Sequence, residues 1–125
     1  MSDAQLLQTF PNPRADRHYL IVHTADEFTS LCPITGQPDF ARLTLRYVAD
    51  QTCVELRSLK QYLQSYRSDG IFYEDVTNRI LDDLVQCCAP RWMELRSRWS
   101  VRGGIHTTVV AQHGNPSVVP PADHR

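Results

Sequence analysis

Hydrophobic and polar positions follow two different periods along this chain of 125 residues. In four segments, β-branched and aromatic residues cluster or apolar residues alternate with polar ones, which is typical of strands. In two segments, apolar residues recur every three or four positions, which is typical of helices packed on one side. Strands are thus predicted over 18–24, 41–49, 92–101 and 105–111, and helices over 56–66 and 72–88.

The order of these segments, ββααββ, predicts an α+β fold with one antiparallel four-stranded sheet that carries both helices on one face. We expect a single domain over 17–112. Polar, proline-containing segments at 1–16 and 113–125 predict a flexible N-terminal arm and a flexible C-terminal tail. Between the first two strands, the stretch 32–40 has two prolines and a glycine, which favours a rigid, shaped loop. Pro90 is expected to end the second helix.

Composition narrows the class of protein. Hydrophobic residues make up 42% of the chain and charged residues 22%, as in ordinary soluble domains. The net charge of -1 argues against direct binding of nucleic acid, and no apolar run approaches the ~20 residues of a membrane span. The N-terminus lacks the features of a secretory signal, so we expect a cytoplasmic protein with reduced thiols. A chain this short supports one core but offers little protein to enclose a deep pocket.

Cys32 is the most suggestive candidate for chemistry, because it precedes a proline in a loop and lies outside the apolar periodic segments. One interpretation is a small buried hydrophobe; the other is a nucleophile with Asp39 as its proton donor. The other three cysteines, Cys53, Cys87 and Cys88, are expected to pack in the structure. The histidines show no metal-ligand spacing, so no metal site is predicted.

The segment 55–60 places an acid, a hydroxyl and two cations within about two helical turns. It is either a solvated helix start, with Glu55 near the positive end of the helix dipole, or a phosphate-binding patch. Neither a Rossmann nor a P-loop fingerprint is present. The phosphate-binding patch would consist of Arg57, Ser58 and Lys60, with Arg102 beside two glycines as a further cation.

Glu74 opens the second helix beside Phe72 and the apolar stripe, so we expect it to be partly buried.

Four blocks of the chain, taken together, resemble the short form of the NADPH-dependent 7-cyano-7-deazaguanine reductase family of the queuosine pathway of tRNA modification. The resemblance runs in order from about residue 17 to residue 110. Two positions depart from the family pattern: Arg57 replaces the usual lysine and Tyr73 the usual histidine. The blocks are CPITGQPDF at 32–40, VELRSLK at 54–60, FYED at 72–75 and RGGI at 102–105.

The resemblance implies the tunnelling fold (T-fold), with subunits joined into rings and active sites formed between them. A homo-oligomer, specifically a decamer of two pentamers, is the implied assembly. It also implies that Cys32 attacks the nitrile to form a covalent thioimide and that Asp39 donates a proton. The implied substrate contacts are Val54, Glu55, Leu56, Tyr73 and Glu74, and the implied NADPH contacts are Arg57, Ser58, Lys60 and Arg102.

Two alternatives stay open at this point. A T-fold cyclohydrolase acting on a pterin or purine would share the architecture, although its zinc-dependent forms need a Cys/His ligand set that the spacing does not offer. A non-catalytic ring protein that binds a heterocycle is suggested by Tyr73, because a phenol with a pKa near 10 cannot exchange protons near neutrality as a histidine does.

Overall fold

The computed structural model describes residues 3–121. Within that part of the chain there are six strands and two α-helices. Short 3₁₀ turns flank them at Ala4–Leu6 and Pro116–Val118. In chain order the elements are β1 (Thr9–Pro11), β2 (Ile21–Leu31), β3 (Pro38–Val48), β4 (Thr52–Val54), α1 (Leu56–Gln64), α2 (Tyr73–Cys88), β5 (Trp92–Arg102) and β6 (Ile105–Gly114).

The four long strands form an antiparallel sheet in the order β2-β3-β5-β6, which confirms the predicted ββααββ core. Helix α2 packs on β5 and β6, and α1 lies beside β2. Burial alternates along β3, because Leu43, Leu45 and Tyr47 enter the core beneath the helices while Arg42 and Arg46 face the other way. The strand pattern thus decides which side chains of β3 meet the helices.

Strand β2 continues to Leu31, seven residues beyond the predicted strand 18–24. The sequence pattern does not predict this longer strand because a β-bulge interrupts the alternation. At the bulge, Asp26 and Glu27 together oppose the single residue Arg42 of β3. The extra residue reverses the alternation, so a period-two pattern read from the sequence stops there. Beyond the bulge, β2 continues to Leu31, which directly precedes Cys32 in the turn.

The predicted loop over 32–40 is shorter in the structure, since β3 already begins at Pro38. A proline is tolerated at the first residue of a strand, where its missing N–H costs no ladder hydrogen bond. The remaining turn is closed by two hydrogen bonds, from Cys32 N to Gln37 O and from Gly36 N to Cys32 O, each 2.8 Å long. Gly36 has a φ of +74°, a conformation that glycine adopts without strain.

The N-terminal segment is paired with the domain, because β1 forms a two-stranded antiparallel ladder with β4. Leu6 and Leu7 also pack against the core. At the other end, β6 runs into the predicted tail as far as Gly114, where a Cβ atom would overlap the carbonyl oxygen of Arg91. The predicted flexibility of both ends stays a prediction, and positions 1–2 of the arm and 122–125 of the tail lie outside the described residues.

Candidate active site

A cleft of ≈ 240 Å³ opens at one end of the four-stranded sheet. Three segments meet there: the β2–β3 turn, the start of α2, and the end of β5. Five residues that the sequence singled out are therefore neighbours in space. The lining consists of Cys32, Pro33, Asp39, Ile71, Phe72, Tyr73, Glu74 and Arg102.

The start of α2 is held in the cleft by the end of β2. Leu31 N donates to Asp69 O at 2.9 Å, and Ile71 N donates to Leu31 O at 3.0 Å. These bonds form an isolated parallel bridge between Leu31 and Gly70, which lets the chain pass close to Pro33. The backbone thus fixes the distance between the cysteine loop and the helix.

Cys32 lies half-buried at the edge of this cleft with a free thiol. The backbone N–H of Thr35 donates to its Sγ at 3.5 Å. Hydrogen bonds from the side chain and backbone of Thr35 and from the backbone of Ile34 lower the pKa of the Cys32 thiol, against smaller opposing effects of burial and of the Asp39 charge. A thiol with a lowered pKa in an accessible loop suits a nucleophile better than a packing residue.

Asp39 is almost fully buried, with 4% of its surface exposed. Its Oδ1 accepts two hydrogen bonds, from Arg102 Nη2 at 2.7 Å and from the Tyr73 hydroxyl at 3.2 Å. No described residue donates to Oδ2, so that oxygen is the one available to a ligand in the cleft. The geometry fits a carboxyl group that exchanges a proton through one oxygen while the other is anchored.

Tyr73 lies against the indole of Trp99, with ring centroids 4.0 Å apart and an angle of 10° between the planes. Burial, and next the charge of Asp39, raise the pKa of the Tyr73 phenol, so it stays a hydrogen-bond donor near neutral pH. The sequence pattern predicts only the strand over 92–101 that carries Trp99. Nothing in that pattern indicated its stacking on Tyr73.

Glu74 lies in the first turn of α2 and lines the cleft, but its side chain is exposed. The expectation that it would be partly buried is therefore wrong for the isolated chain. The reason is that Phe72, its expected apolar neighbour, is itself 55% exposed and does not bury Glu74. An exposed carboxylate beside an exposed aromatic ring at the mouth of the cleft is suited to a ligand or a second chain.

The second group of predicted site residues begins beside Tyr47, toward the far end of β3, and continues along α1 to Lys60, which lines a cavity with Ala25 and Leu43. Val54 N donates to the Tyr47 hydroxyl at 3.0 Å, and Tyr47 follows Asp39 by eight residues along β3. At about 3.4 Å per residue, that length of strand spans roughly 27 Å. One chain therefore does not bring the two groups together: Val54, Glu55, Leu56, Arg57, Ser58 and Lys60 are separate from the cleft.

Within the second group, two polar side chains are engaged by the chain itself. Glu55 is the N-cap of α1, and its carboxylate accepts the N–H groups of Arg57 at 2.6 Å and Ser58 at 2.8 Å. These bonds lower the pKa of Glu55. Ser58 is buried, donates to Glu55 O at 2.8 Å and accepts from Gln8 N at 2.9 Å. Both residues thus hold the start of α1, and Ser58 also fixes the N-terminal segment.

Of the other members of this group, Leu56, Arg57 and Lys60 are exposed, whereas Val54 is buried. Leu56 is 60% exposed, and the side chains of Arg57 and Lys60 make no ion pair with any described residue. Leu56 and Lys60 stand at an apolar cavity of ≈ 310 Å³ between α1 and β2, which Leu59 and Leu63 also line. Cations beside an apolar cavity suit a ligand with both phosphate and ring groups.

The described residues also bear on the expectations about membrane spans, metal sites and thiols. No helix in residues 3–121 is long and apolar enough to cross a membrane. The same residues contain no cluster of three or more His, Cys, Asp or Glu side chains that could hold a metal ion. All four cysteines carry free thiols. The zinc-dependent cyclohydrolase alternative therefore finds no ligand set within the part of the chain that is described.

Comparison with known proteins identifies the family. The model of the family described as "QueF-like protein" matches residues 38–118. An NADPH-dependent 7-cyano-7-deazaguanine reductase of Anaeromyxobacter sp. (strain Fw109-5) is 60% identical over 111 residues, which cover 89% of this chain and 91% of that protein. One from Alkalilimnicola ehrlichii is 54% identical over 114 residues, covering 91% of this chain and 88% of that protein.

A solved structure supports the fold. The crystal structure of the archaeosine synthase QueF-Like in the apo form matches with a TM-score of 0.72 and covers 77% of this chain and 94% of its own. Its sequence identity is 22%, so the likeness concerns the fold, and it confirms the predicted tunnelling fold. With the family match and the relatives above 50% identity, these findings show that this chain belongs to the QueF-like family.

Proposed function

We propose that this protein is an NADPH-dependent 7-cyano-7-deazaguanine reductase, which converts the nitrile of that base to an aminomethyl group for queuosine biosynthesis. The observation that carries the proposal is the pairing, in one cleft, of the Cys32 thiol with the buried carboxyl group of Asp39. Relatives of 54–60% identity that span nearly the whole chain bear this name. We also propose a cytoplasmic location, which suits four free thiols.

The chemistry follows from these two groups. A nitrile is a weak electrophile, and a soft thiolate is suited to attack its carbon. In the first step the Cys32 thiol gives its proton to Asp39 and its sulfur bonds to that carbon as one carbon–nitrogen π bond breaks. Asp39 passes the proton on to the nitrogen, which yields a thioimide. After a first reduction the Cys32 thiolate leaves, and the imine that remains is reduced to the amine. NADPH, when bound, supplies the hydride for each reduction.

Substrate recognition requires acceptors for the N–H groups of the deazaguanine ring. The exposed carboxylate of Glu74 at the cleft mouth is suited to this role. Glu55, with Val54 and Leu56, is the second proposed contact. In the isolated chain the Glu55 carboxylate caps α1 through two backbone N–H groups, and its remaining lone pairs are the ones available to a ligand.

The separation between the cleft residues and the Val54–Lys60 segment supports a site that is completed by a second copy of the chain. Because roughly 27 Å of β3 lies between Asp39 and Tyr47, a single chain cannot present both groups to one small base. A second copy that brings its Val54–Lys60 segment to the cleft would complete the site. Large apolar side chains are exposed at both places: Ile34 is 78% and Phe72 55% exposed at the cleft, and Leu56 is 60% exposed at the other group. We therefore propose a homo-oligomer with shared sites, and retain the decamer of two pentamers.

The residues present fit NADPH in their chemistry. Arg57 and Lys60 are exposed cations beside an apolar cavity, as a cofactor with phosphate and ring groups requires. We propose these two as its main contacts. Ser58 and Arg102 belong to the predicted set as well, but the Ser58 hydroxyl is bonded within the chain and Arg102 Nη2 is bonded to Asp39. Their direct contact with the cofactor remains a prediction.

Mass spectrometry of the native protein tests the covalent step without NADPH. Incubation with 7-cyano-7-deazaguanine should add the full mass of the base to one cysteine per chain, because addition to a nitrile releases no leaving group. The adduct should be absent from Cys32→Ala and present in the matched control Cys87→Ala, whose thiol is half-buried elsewhere. An adduct that survives Cys32→Ala would refute the assigned nucleophile. Binding without any adduct would favour the non-catalytic alternative.

A further inference from the structure

Two donors converge on a single oxygen of Asp39. Arg102, at the end of β5, and Tyr73, at the start of α2, both donate to Oδ1. A carboxylate held at one oxygen by donors from two separate elements cannot rotate about its terminal bond without breaking both bonds. The orientation of the second oxygen, Oδ2, is therefore set by the partners of the first.

Tyr73 is itself fixed by a closed circuit of buried contacts. Thr77 Oγ1 donates to Tyr73 O at 2.7 Å and lies 2.7 Å from Ser97 Oγ. Ser97 Oγ accepts from Trp99 Nε1 at 2.9 Å, and the Trp99 indole stacks on the Tyr73 ring. Thr77 and Ser97 are completely buried, and Trp99 is 3% exposed. The stack on Trp99 thus supports one face of the Tyr73 ring, and the Thr77 hydroxyl holds its backbone oxygen.

From these contacts we propose that Tyr73 is a positioning residue for Asp39, through which the Thr77–Ser97–Trp99 circuit orients the proton-donating oxygen, and that it is not a substrate contact. The proposal rests on the proposed function. It revises the role that the family resemblance implies for this position. The hydroxyl is well suited to the task, because a phenol that stays protonated near neutral pH is a constant donor to the carboxylate.

The role makes a specific kinetic prediction. Misplacing a proton donor by a fraction of an ångström to 1 Å slows the chemical step while leaving binding intact. A lost substrate contact instead weakens binding. The two roles are separated by measuring the rate of adduct formation at Cys32 and, in a Cys32→Ala background where no adduct forms, the dissociation constant for 7-cyano-7-deazaguanine.

Tyr73→Phe is the decisive variant, because it keeps the ring on Trp99 and removes only the hydroxyl. We expect adduct formation and kcat to fall about 10- to 100-fold, with the dissociation constant changed less than about twofold. Tyr73→His, whose imidazole can also donate to Asp39, should recover part of the lost rate. Tyr19→Phe is the matched control, since its hydroxyl bonds to Asn12 at 2.5 Å, away from the cleft; it should leave both quantities unchanged.

A second variant tests the circuit. Thr77→Val keeps the side-chain shape and removes the hydroxyl that joins Tyr73 O to Ser97. It should lower kcat in the same direction as Tyr73→Phe, with a smaller effect, and leave substrate affinity unchanged. Thermal unfolding of each variant shows whether the domain remains folded at the assay temperature.

The possible results separate this proposal from the proposed function. If the wild-type protein forms no adduct and consumes no NADPH, the proposed function fails. If the wild type is active but Tyr73→Phe is as fast, or loses affinity while retaining its rate of adduct formation, the positioning role is refuted and the reductase remains.

Discussion

Arg102 Nη2 donates both to Asp39 Oδ1 and to the carbonyl oxygen of Pro38, at 2.7 Å in each case. The carboxylate is 4% exposed, whereas the guanidinium-bearing side chain is 43% exposed. The pair therefore ties the end of β5 to the first residues of β3 at the floor of the cleft. It also gives the buried charge of Asp39 a partner, without which its burial would be costly.

Replacing Arg102 tests what this ion pair does. Arg102→Gln should slow adduct formation at Cys32 by about tenfold in the absence of NADPH, because Oδ1 loses its charged partner and a misoriented group slows the chemical step. Mass spectrometry over time measures that rate without any contribution of the cofactor. An unchanged rate of adduct formation, together with weaker NADPH binding, would instead show that Arg102 binds the phosphates of the cofactor and does not position Asp39.

The reactivity of Cys32 should depend on Thr35. Hydrogen bonds from the Thr35 side chain lower the pKa of the thiol, so Thr35→Val should raise that pKa and slow alkylation by iodoacetamide at neutral pH. The charge of Asp39 acts in the other direction, so Asp39→Asn should lower the pKa and speed alkylation. Cys87, whose pKa burial raises, provides the slow reference within the same chain. The same direction of change in both variants would contradict this account.

Glu55 should stabilise the fold in a pH-dependent manner. Its pKa is lowered from 4.5 because the backbone N–H groups of Arg57 and Ser58 favour the charged carboxylate. The stability it contributes is then present above about pH 4.5 and is lost as the pH falls through its pKa in the folded protein. Glu55→Gln should lower the free energy of unfolding at pH 7. The difference in this free energy between the variant and the wild type should become smaller in acid.

Urea unfolding at several pH values measures this effect, with the exposed Glu27 as control. Glu27→Gln should leave the pH dependence of the wild type largely intact. A constant difference between Glu55→Gln and wild type down to pH 3 would show that the cap does not depend on the charge. A loss of substrate affinity in Glu55→Gln at neutral pH, with the protein fully folded, would support its additional role as a contact.

Ser30 carries a buried hydroxyl that has no partner. It is completely buried and lies directly opposite Asp39 in the β2–β3 ladder, and among residues 3–121 its Oγ meets no donor or acceptor. An unsatisfied buried polar group costs about 1–3 kcal/mol. Ser30→Ala should therefore raise the free energy of unfolding by about 1 kcal/mol, as urea unfolding would show. A decrease of about 1 kcal/mol in the free energy of unfolding would instead show that the Ser30 hydroxyl makes a stabilising contact.

Much of the fold followed from local patterns. The helix predicted over 72–88 is Tyr73–Cys88 in the structure, and it ends at Cys88 because Pro90 prevents its continuation and Ala89 adopts a left-handed conformation. The inward face of β3 was predicted by simple alternation. The extent of β2 was not, because the bulge at Asp26 depends on its pairing with β3, which is a tertiary feature. The β1–β4 ladder likewise depends on contacts distant in sequence.

For the candidate site, the sequence identified residues better than it identified their partners. Cys32, Asp39, Tyr73, Glu74 and Arg102, from three of the four blocks, line one cleft, whereas the block at 54–60 does not. Their roles stay predictions. The anchoring of Asp39 by Tyr73, and of Tyr73 by Trp99, depends on how α2 crosses β5, and no local pattern reports that crossing. Nor does the pattern show how far apart the blocks lie along β3. That distance supports the proposed sharing of the site between chains.

The most direct test of the central claim is the stoichiometry of NADPH oxidation. Reduction of a nitrile to an amine takes up four electrons, and each NADPH delivers two as a hydride. The folded protein, mixed with limiting 7-cyano-7-deazaguanine and excess NADPH, should oxidise two NADPH per base, as followed by nicotinamide absorbance, and Cys32→Ala should oxidise none. Failure of the folded wild-type protein to oxidise NADPH when the base is added would contradict the account.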